Sequence, residues 1–246
     1  MKDETFENWA NFYDLIYSDY AEDIRFYVEE AKKAKGRVLE IACGTGRIYL
    51  EMLREGVDAY GIDVSKNMIN YLEDKAEKLD LKPKVKKADM KYFRFKYRFS
   101  LVTIPFRSFL HNLTTKEQLQ TLECVRKHLK KDGKLILNFF YPDHELITKT
   151  YGKNVRRTIN SDGTKYVLLN RSYFLDESDQ IVVSHHTLKN NKKIVWSDKL
   201  RLALVYKREF ELLLRLAGFS RWKLYGGFNY EPHESYKQEM VWIVEK

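Results

Sequence analysis

Cysteine is scarce in these 246 residues, Cys43 and Cys124 being the only two. A pair so placed sets up neither a disulfide framework nor a cysteine metal site, which points to a reduced, cytoplasmic protein. No uninterrupted apolar run approaches the ~20 residues that a membrane-crossing helix needs, so no membrane partner is expected. The start, Met1-Lys-Asp-Glu-Thr-Phe6, is acidic and polar and lacks a secretory leader's charged-then-apolar order. Internal repeats and low-complexity segments are missing too. No third ligand stands at metal spacing from the histidines, and no metal is expected.

The residues present are 44% hydrophobic and 14% aromatic, enough for one large α/β domain with a substantial core. The formal charge of +9 can steer nucleic acid or acidic substrates, but abundant Lys and Glu also suit a solvated, heat-adapted surface. The densest basic stretch, Lys82 to Arg98, holds eight Lys/Arg around Asp89 and alternates with aromatics.

Residues 5–35 read as one or two helices, with Trp9, Phe12, Tyr13 and Tyr17 on one face. Val38-Leu-Glu-Ile41 reads as a buried strand entering a turn with Gly44 and Gly46, then a helix near 47–55 ended by Gly56. A second strand, Ala59 to Asp63, leads to Ser65, which caps a helix near 66–79. Val85 to Met90 forms a short third strand and Phe99 to Ile104 a fourth. Thr115 with Gln118 makes a capping box for a helix through Lys131, stopped by Asp132-Gly133. Lys134 to Tyr141 is a fifth strand with the continuous apolar run of one covered on both faces.

After that the alternation changes. Residues 142–164 read as a basic loop. Three extended segments follow (166–175, 181–188, 194–206) with short separators that imply antiparallel pairing. A helix near 207–217 and strands at 222–225 and 240–244 resume the first pattern. The expected division is 1–141 with 207–246 as one domain, including an N-terminal helical lid (1–35), and 142–206 as an inserted antiparallel β cap.

Alternating strands and helices imply a doubly wound, Rossmann-like α/β sheet whose ligand lies at the carboxyl ends of the strands. Glu40, Asp63 and Asp89 then converge beside the glycine turn. Asp63 can accept both hydroxyls of a ribose, and Asp89 the amino group of adenine, with Val64, Met68 and Met90 as apolar walls. A dinucleotide is disfavoured because the third glycine of G-x-G-x-x-G is replaced by Tyr49, a bulk that hinders a pyrophosphate.

These residues, Leu39-Glu-Ile-Ala-Cys-Gly-Thr-Gly46, Gly61-Ile-Asp-Val-Ser65, Ala88-Asp-Met90, Ile104 to His111 and Arg208 to Phe219, resemble the class I S-adenosylmethionine-dependent methyltransferases. The resemblance implies a seven-stranded sheet with its last strand, 240–244, antiparallel, and S-adenosyl-L-methionine as cofactor. It further implies that Ala42, Gly44, Gly46 and Pro105 line the cofactor, that Asp63 holds the ribose and that residues 105–111 face the methyl group. Phe12-Tyr-Asp-Leu-Ile-Tyr17…Tyr20 resembles the lid of small-molecule N-methyltransferases acting on amino sugars and glycine, so Tyr13 and Tyr20 are placed over the cofactor.

The implied reaction is in-line transfer of a methyl group to N or O of a small-molecule acceptor, by a monomer or homodimer. His111 is the candidate base. Arg107 can grip a carboxylate, and of His185 and His186, on opposite faces of a strand, His185 is the candidate acceptor contact. The absence of Asn-Pro-Pro-Tyr after the fourth strand weakens adenine or glutamine as acceptor. An RNA acceptor bound by residues 82–98, or a catalytically silent adenosyl-ligand module, stand as the alternatives.

Overall fold

The computed structural model describes residues 5–246; the first four residues of the expected lid lie outside the described residues. Two helices come first, α1 (Thr5–Tyr17) and α2 (Glu22–Lys33). Strands and helices then alternate: β1 (Val38–Ile41), α3 (Tyr49–Arg54), β2 (Ala59–Asp63), α4 (Lys66–Lys78), β3 (Val85–Lys87), β4 (Phe99–Ile104), α5 (Thr115–His128) and β5 (Leu129–Phe140). A short helix, α6 (His144–Thr150), leads to β6 (Asn154–Ser161), β7 (Thr164–Asp176), β8 (Ile181–Asn190) and β9 (Lys193–Ala203). The chain closes with α7 (Lys207–Leu216), β10 (Arg221–Tyr225) and β11 (Glu239–Glu245).

The large sheet has seven strands in the order β10-β11-β5-β4-β1-β2-β3. β1 pairs in parallel with β2 and β4, setting Val38 beside Ala59 and Leu101. β11 runs antiparallel to both β5 and β10, as expected of the last strand. Successive residues of β1 enter opposite layers: Leu39 and Ile41 join one buried cluster with Val102, Leu137 and Phe210, and Val38 joins another with Tyr27, Met52 and Leu72. Burial on both faces explains why this strand shows a run, not an alternation.

β6 to β9 form a second, antiparallel sheet of four strands. The expected basic loop at 142–164 is therefore wrong in two places. Asp143 caps α6, its carboxylate accepting from the N–H groups of Glu145 and Leu146. β6 is an edge strand whose residues are exposed apart from Ile159 and Ser161, so it carries no hydrophobic alternation and is held by its ladder to β7. Other expectations shift by a few residues. The cap of α5 is Thr114, whose Oγ1 accepts from Glu117 N, not Thr115 with Gln118. α5 ends at His128 because fully buried Leu129 already pairs with Phe99 in the sheet. β3 stops at Lys87, leaving Asp89 to close a turn by accepting from Lys91 N at 2.8 Å.

Candidate active site

β1 leaves the sheet at Ile41 and reverses through a turn in which Ala42 (φ +56°), Gly44 (+54°) and Gly46 (+87°) are left-handed. Ala42 accepts that conformation at a cost of about 1–2 kcal/mol. A side chain on Gly46 would meet Leu72 at 2.8 Å and Leu50 at 2.9 Å, so this glycine serves helix packing. Gly44 has open space before it, and its N–H donates to Asp63 Oδ2 at 2.8 Å. Ser65 N donates to Oδ1, also at 2.8 Å. The end of β2 is thereby stitched to the turn after β1. Asp63 is buried, and burial pushes its carboxyl up to about 6 against the pull of the N–H groups of Ser65, Gly44 and Val64. Each oxygen keeps a further lone pair, the requirement for accepting ribose hydroxyls.

Beside the turn lies a cavity of about 30 Å³, lined by Tyr13, Glu40, Ala42, Gly44, Pro105 and Phe106, with Arg47 and Ser108. Glu40 is buried, and its Oε2 has no hydrogen-bond partner among the described residues. Burial drives its carboxyl well above the usual range, with Arg47 pulling the other way. Arg47 forks Asp23, with N–O distances of 2.5 and 2.8 Å, and donates to Tyr20 O at 3.1 Å. The unmet Glu40 oxygen at this turn suits a ligand end bearing an ammonium, and the Arg47 guanidinium beside it is already held by Asp23. With Asp63, Glu40 supplies acceptors of the kind that the ammonium and ribose hydroxyls of S-adenosylmethionine require.

The loop after β4 closes the other side. Phe106 (φ +54°) and Arg107 (φ +66°) are consecutive left-handed residues, a strain of about 1–2 kcal/mol each. Asn138, fully buried in β5, holds them: its Oδ1 accepts from Phe106 N at 2.9 Å and from Tyr27 Oη–H at 2.7 Å. Its Nδ2 donates to Glu239 at 2.8 Å, and Glu239 takes the Arg107 guanidinium through both oxygens at 3.2 and 2.8 Å. The Phe106 ring is thereby set against Tyr17 (4.9 Å), Tyr20 (4.8 Å) and the Arg47 guanidinium (4.7 Å). Burial pushes the Tyr17 and Tyr20 phenols up to about 12 and that of Tyr13 up as well, so all three are neutral walls at ordinary pH.

α1 lies between this loop and the small sheet. Glu7 fastens it to α4, accepting from Lys66 N (3.0 Å), Asn67 N (2.8 Å) and Ser65 Oγ (3.0 Å). Asp14 fastens it to Thr45 (2.5 Å) and Lys75 (2.7 Å). Its inner face, Trp9, Ala10 and Ile16, packs on Ile159, Leu168, Leu188 and Trp196 of the small sheet. In that interface His186 is 7% exposed and meets Trp9 edge-on at 4.9 Å. Ser184 Oγ donates to Asn170 Oδ1 and lies 2.9 Å from His186 Nε2, which is therefore the protonated nitrogen. Nδ1 is left as a buried acceptor without a partner among the described residues.

Of the residues expected at the site, Tyr13, Glu40, Ala42, Gly44 and Pro105 line the cavity, with Asp63 one hydrogen bond away. Tyr20 covers it through Phe106. Met68 is buried in the α1 cluster and Val64 is 48% exposed, while Asp89 and Met90 sit half-buried after β3. Arg107 is committed to Glu239. His111 Nδ1 is 3.1 Å from the Arg201 carbonyl, and the ring meets Phe6 at 4.8 Å. His185 bonds Ser197 on the face away from α1, and His186 is the histidine turned inward. Tyr49 does not crowd the turn; it is fully buried and spans to Ala59 O and Lys84 N. Sequence reasoning missed Arg47, although a cation directly after a glycine turn was visible, and took in Phe106 only as part of the 105–111 loop.

Residues 38–133 match a family model described as a methyltransferase domain. The dTDP-3-amino-3,4,6-trideoxy-α-D-glucopyranose N,N-dimethyltransferase of Streptomyces venezuelae is 26% identical, over 89% of this chain and 92% of its own. A solved S-adenosylmethionine-dependent methyltransferase from Clostridium acetobutylicum superposes with a TM-score of 0.77 at 18% identity, covering 96% of each chain. The CcbJ methyltransferase of Streptomyces caelestis superposes with a TM-score of 0.78 at 20% identity, covering 98% of this chain and 97% of its own.

Proposed function

We propose that this chain, an S-adenosylmethionine-dependent methyltransferase of the class I fold, methylates the nitrogen of a small amine-bearing acceptor, of the amino-sugar kind, held between α1, the 105–108 loop and the inner face of the small sheet. The observation that carries this reading is the enclosure. α1 packs on the small sheet, and Trp9, Tyr13, Tyr17 and Phe106 form a continuous aromatic wall between that packing and the loop. An enclosed site selects a small acceptor and keeps water out, the two requirements of a displacement reaction driven by alignment.

Bound S-adenosylmethionine supplies an electrophilic methyl group on its sulfonium. The protein's own tasks are to bind and to orient. Asp63 would take the ribose hydroxyls and Glu40 the ammonium, and the Ala42–Gly44 turn and Phe106 would wall the same cavity. His186 Nδ1, a neutral acceptor, orients an N–H or O–H of the incoming molecule. Burial, with His185 and Arg157 nearby, holds its imidazole down to about 4, so it stays unprotonated. A neutral amine brings its own lone pair and needs no strong base, which suits a site whose tyrosines are all un-ionised.

The test is to supply S-adenosylmethionine with dTDP-3-amino-3,6-dideoxy-α-D-glucopyranose and its 3-hydroxy counterpart, and read the products by mass spectrometry. Methyl groups added to the amine alone are expected. Methylation of the hydroxyl compound alone would overturn the nitrogen assignment.

A further inference from the structure

Three rings meet where α1 packs on the small sheet, and each carries a polar atom with no hydrogen-bond partner among the described residues. They are Trp9 Nε1, Trp196 Nε1 and His186 Nδ1. The Trp9 centroid lies 4.5 Å from that of Trp196 and 4.9 Å from that of His186, with the rings nearly perpendicular in both pairs. Trp9 is 1% exposed and Trp196 8%, so bulk water does not serve them. Around them the interface is apolar, with Ala10, Ile16, Ile159, Leu168 and Leu188. Buried polar atoms are nearly always paired, so three unmet ones on neighbouring rings mark a place where a polar group is received. An indole N–H pointed at a ring face gains a weak contact. That contact supplies an acceptor and no donor, and it leaves His186 Nδ1 unmet.

The strands fix which nitrogen His186 offers. β8 sets Ser184 and His186 two residues apart on the face toward α1, with His186 opposite Asn170 of β7. Asn170 Oδ1 takes the Ser184 hydroxyl proton and Ser184 Oγ takes the Nε2 proton, each at 2.9 Å. The chain ends on a single acceptor, Nδ1, with two indole donors beside it. One acceptor and two donors are the complement of a hydroxyl group, which has one proton to give and two lone pairs. An ammonium has no lone pair for the indoles, and a carboxylate or phosphate has no proton for Nδ1.

Tyr17 joins these rings to the 105–108 loop: it stacks on Trp9 at 6.1 Å and meets Phe106 at 4.9 Å. Rings so deeply buried admit only the end of a nucleotide sugar that is remote from the nucleotide. In a 3-amino sugar joined to its nucleotide at carbon 1, that end carries carbon 4, next to the amine-bearing carbon.

We propose that Trp9, Trp196 and His186 form a subsite that reads the 4-hydroxyl of the acceptor sugar, an inference that rests on the amino-sugar reading above. The three residues are then determinants of specificity, and the sugars this chain methylates are those that keep the hydroxyl beside the amine.

The experiment measures kcat/KM for dTDP-3-amino-3,6-dideoxy-α-D-glucopyranose and for dTDP-3-amino-3,4,6-trideoxy-α-D-glucopyranose at saturating S-adenosylmethionine, with the methylated amine read by mass spectrometry. The two sugars differ in the 4-hydroxyl alone. Wild type should prefer the 4-hydroxy sugar by ~10²-fold or more, because the deoxy sugar leaves the three polar atoms buried and unpaired. Trp196→Phe, which removes one donor, should cut that ratio about tenfold, and His186→Phe, which removes the acceptor, should bring it below about 3. Loss of packing alone lowers both sugars together and leaves the ratio unchanged. Equal kcat/KM for the two sugars in wild type, as when a water serves these atoms, would overturn the subsite and leave the amino-sugar reading standing. An unchanged ratio in His186→Phe would do the same. Methylation of neither amine would overturn both.

Discussion

Replacing Asp63 by alanine removes the carboxylate that joins the turn after β1 to the end of β2. Two charge-assisted hydrogen bonds to a ribose contribute about 1.5–3 kcal/mol each, so the variant should lose about 3–6 kcal/mol of cofactor binding, ~10²–10⁴ in Kd. The effect on folding should be far smaller. Two backbone donors, Gly44 N and Ser65 N, lose their acceptor. Against that, an expensive buried charge disappears: a carboxyl raised from 3.8 to about 6 costs on the order of 3 kcal/mol when ionised at neutral pH. The measurement is calorimetric titration of S-adenosylhomocysteine into wild type and Asp63→Ala, with thermal melts in parallel. A Kd changed less than threefold in a variant that melts normally would refute the placement of the ribose on Asp63.

Five further outcomes follow from the same geometry. Cofactor affinity should be flat above pH 7 and fall by up to tenfold per unit below about 6, as Asp63 takes up a proton. Stability of the ligand-free protein should show the opposite trend from this group: its folded pKa is above its unfolded value, so the folded state is favoured as pH falls from 6 toward 3.8; paired calorimetry and melts check both signs. Asp23→Ala leaves the buried Arg47 guanidinium uncompensated and should cost about 3–5 kcal/mol, seen in urea denaturation. Asn138→Leu strips the acceptor from Phe106 N and Tyr27 and the donor from Glu239, and should lower kcat more than it weakens cofactor binding, read by steady-state kinetics beside calorimetry. His186→Phe should raise the acceptor's KM while S-adenosylhomocysteine affinity stays within threefold; steady-state kinetics with the amino sugar give the first and calorimetry the second.

The large sheet was legible because its signals are local. β1, β2 and β4 are short apolar runs ended by turn chemistry, and their limits emerged as read. Asp63 was legible for the same reason, a carboxylate closing the strand after a glycine turn. β6 was not, since an edge strand with one buried side chain has no pattern of its own. Arg47 and Asn138 were hidden by their partners. Asp23 and Glu239, which give each its role, stand 24 and 101 residues away in sequence. His186 could not be told from His185 until the sheet chose its inner face. Gly46 was read as a ligand contact because a glycine kept for Leu50 and Leu72 looks the same in sequence as one kept for a ligand.

A crystal structure with S-adenosylhomocysteine bound tests the site most directly. Both ribose hydroxyls should lie within 3.2 Å of the Asp63 carboxylate, a hydrogen-bond distance. The ligand's ammonium should reach Glu40 Oε2, and its sulfur should face Phe106. A ribose that meets neither oxygen of Asp63, with the carboxylate still closed on Gly44 and Ser65 alone, would contradict the site as described.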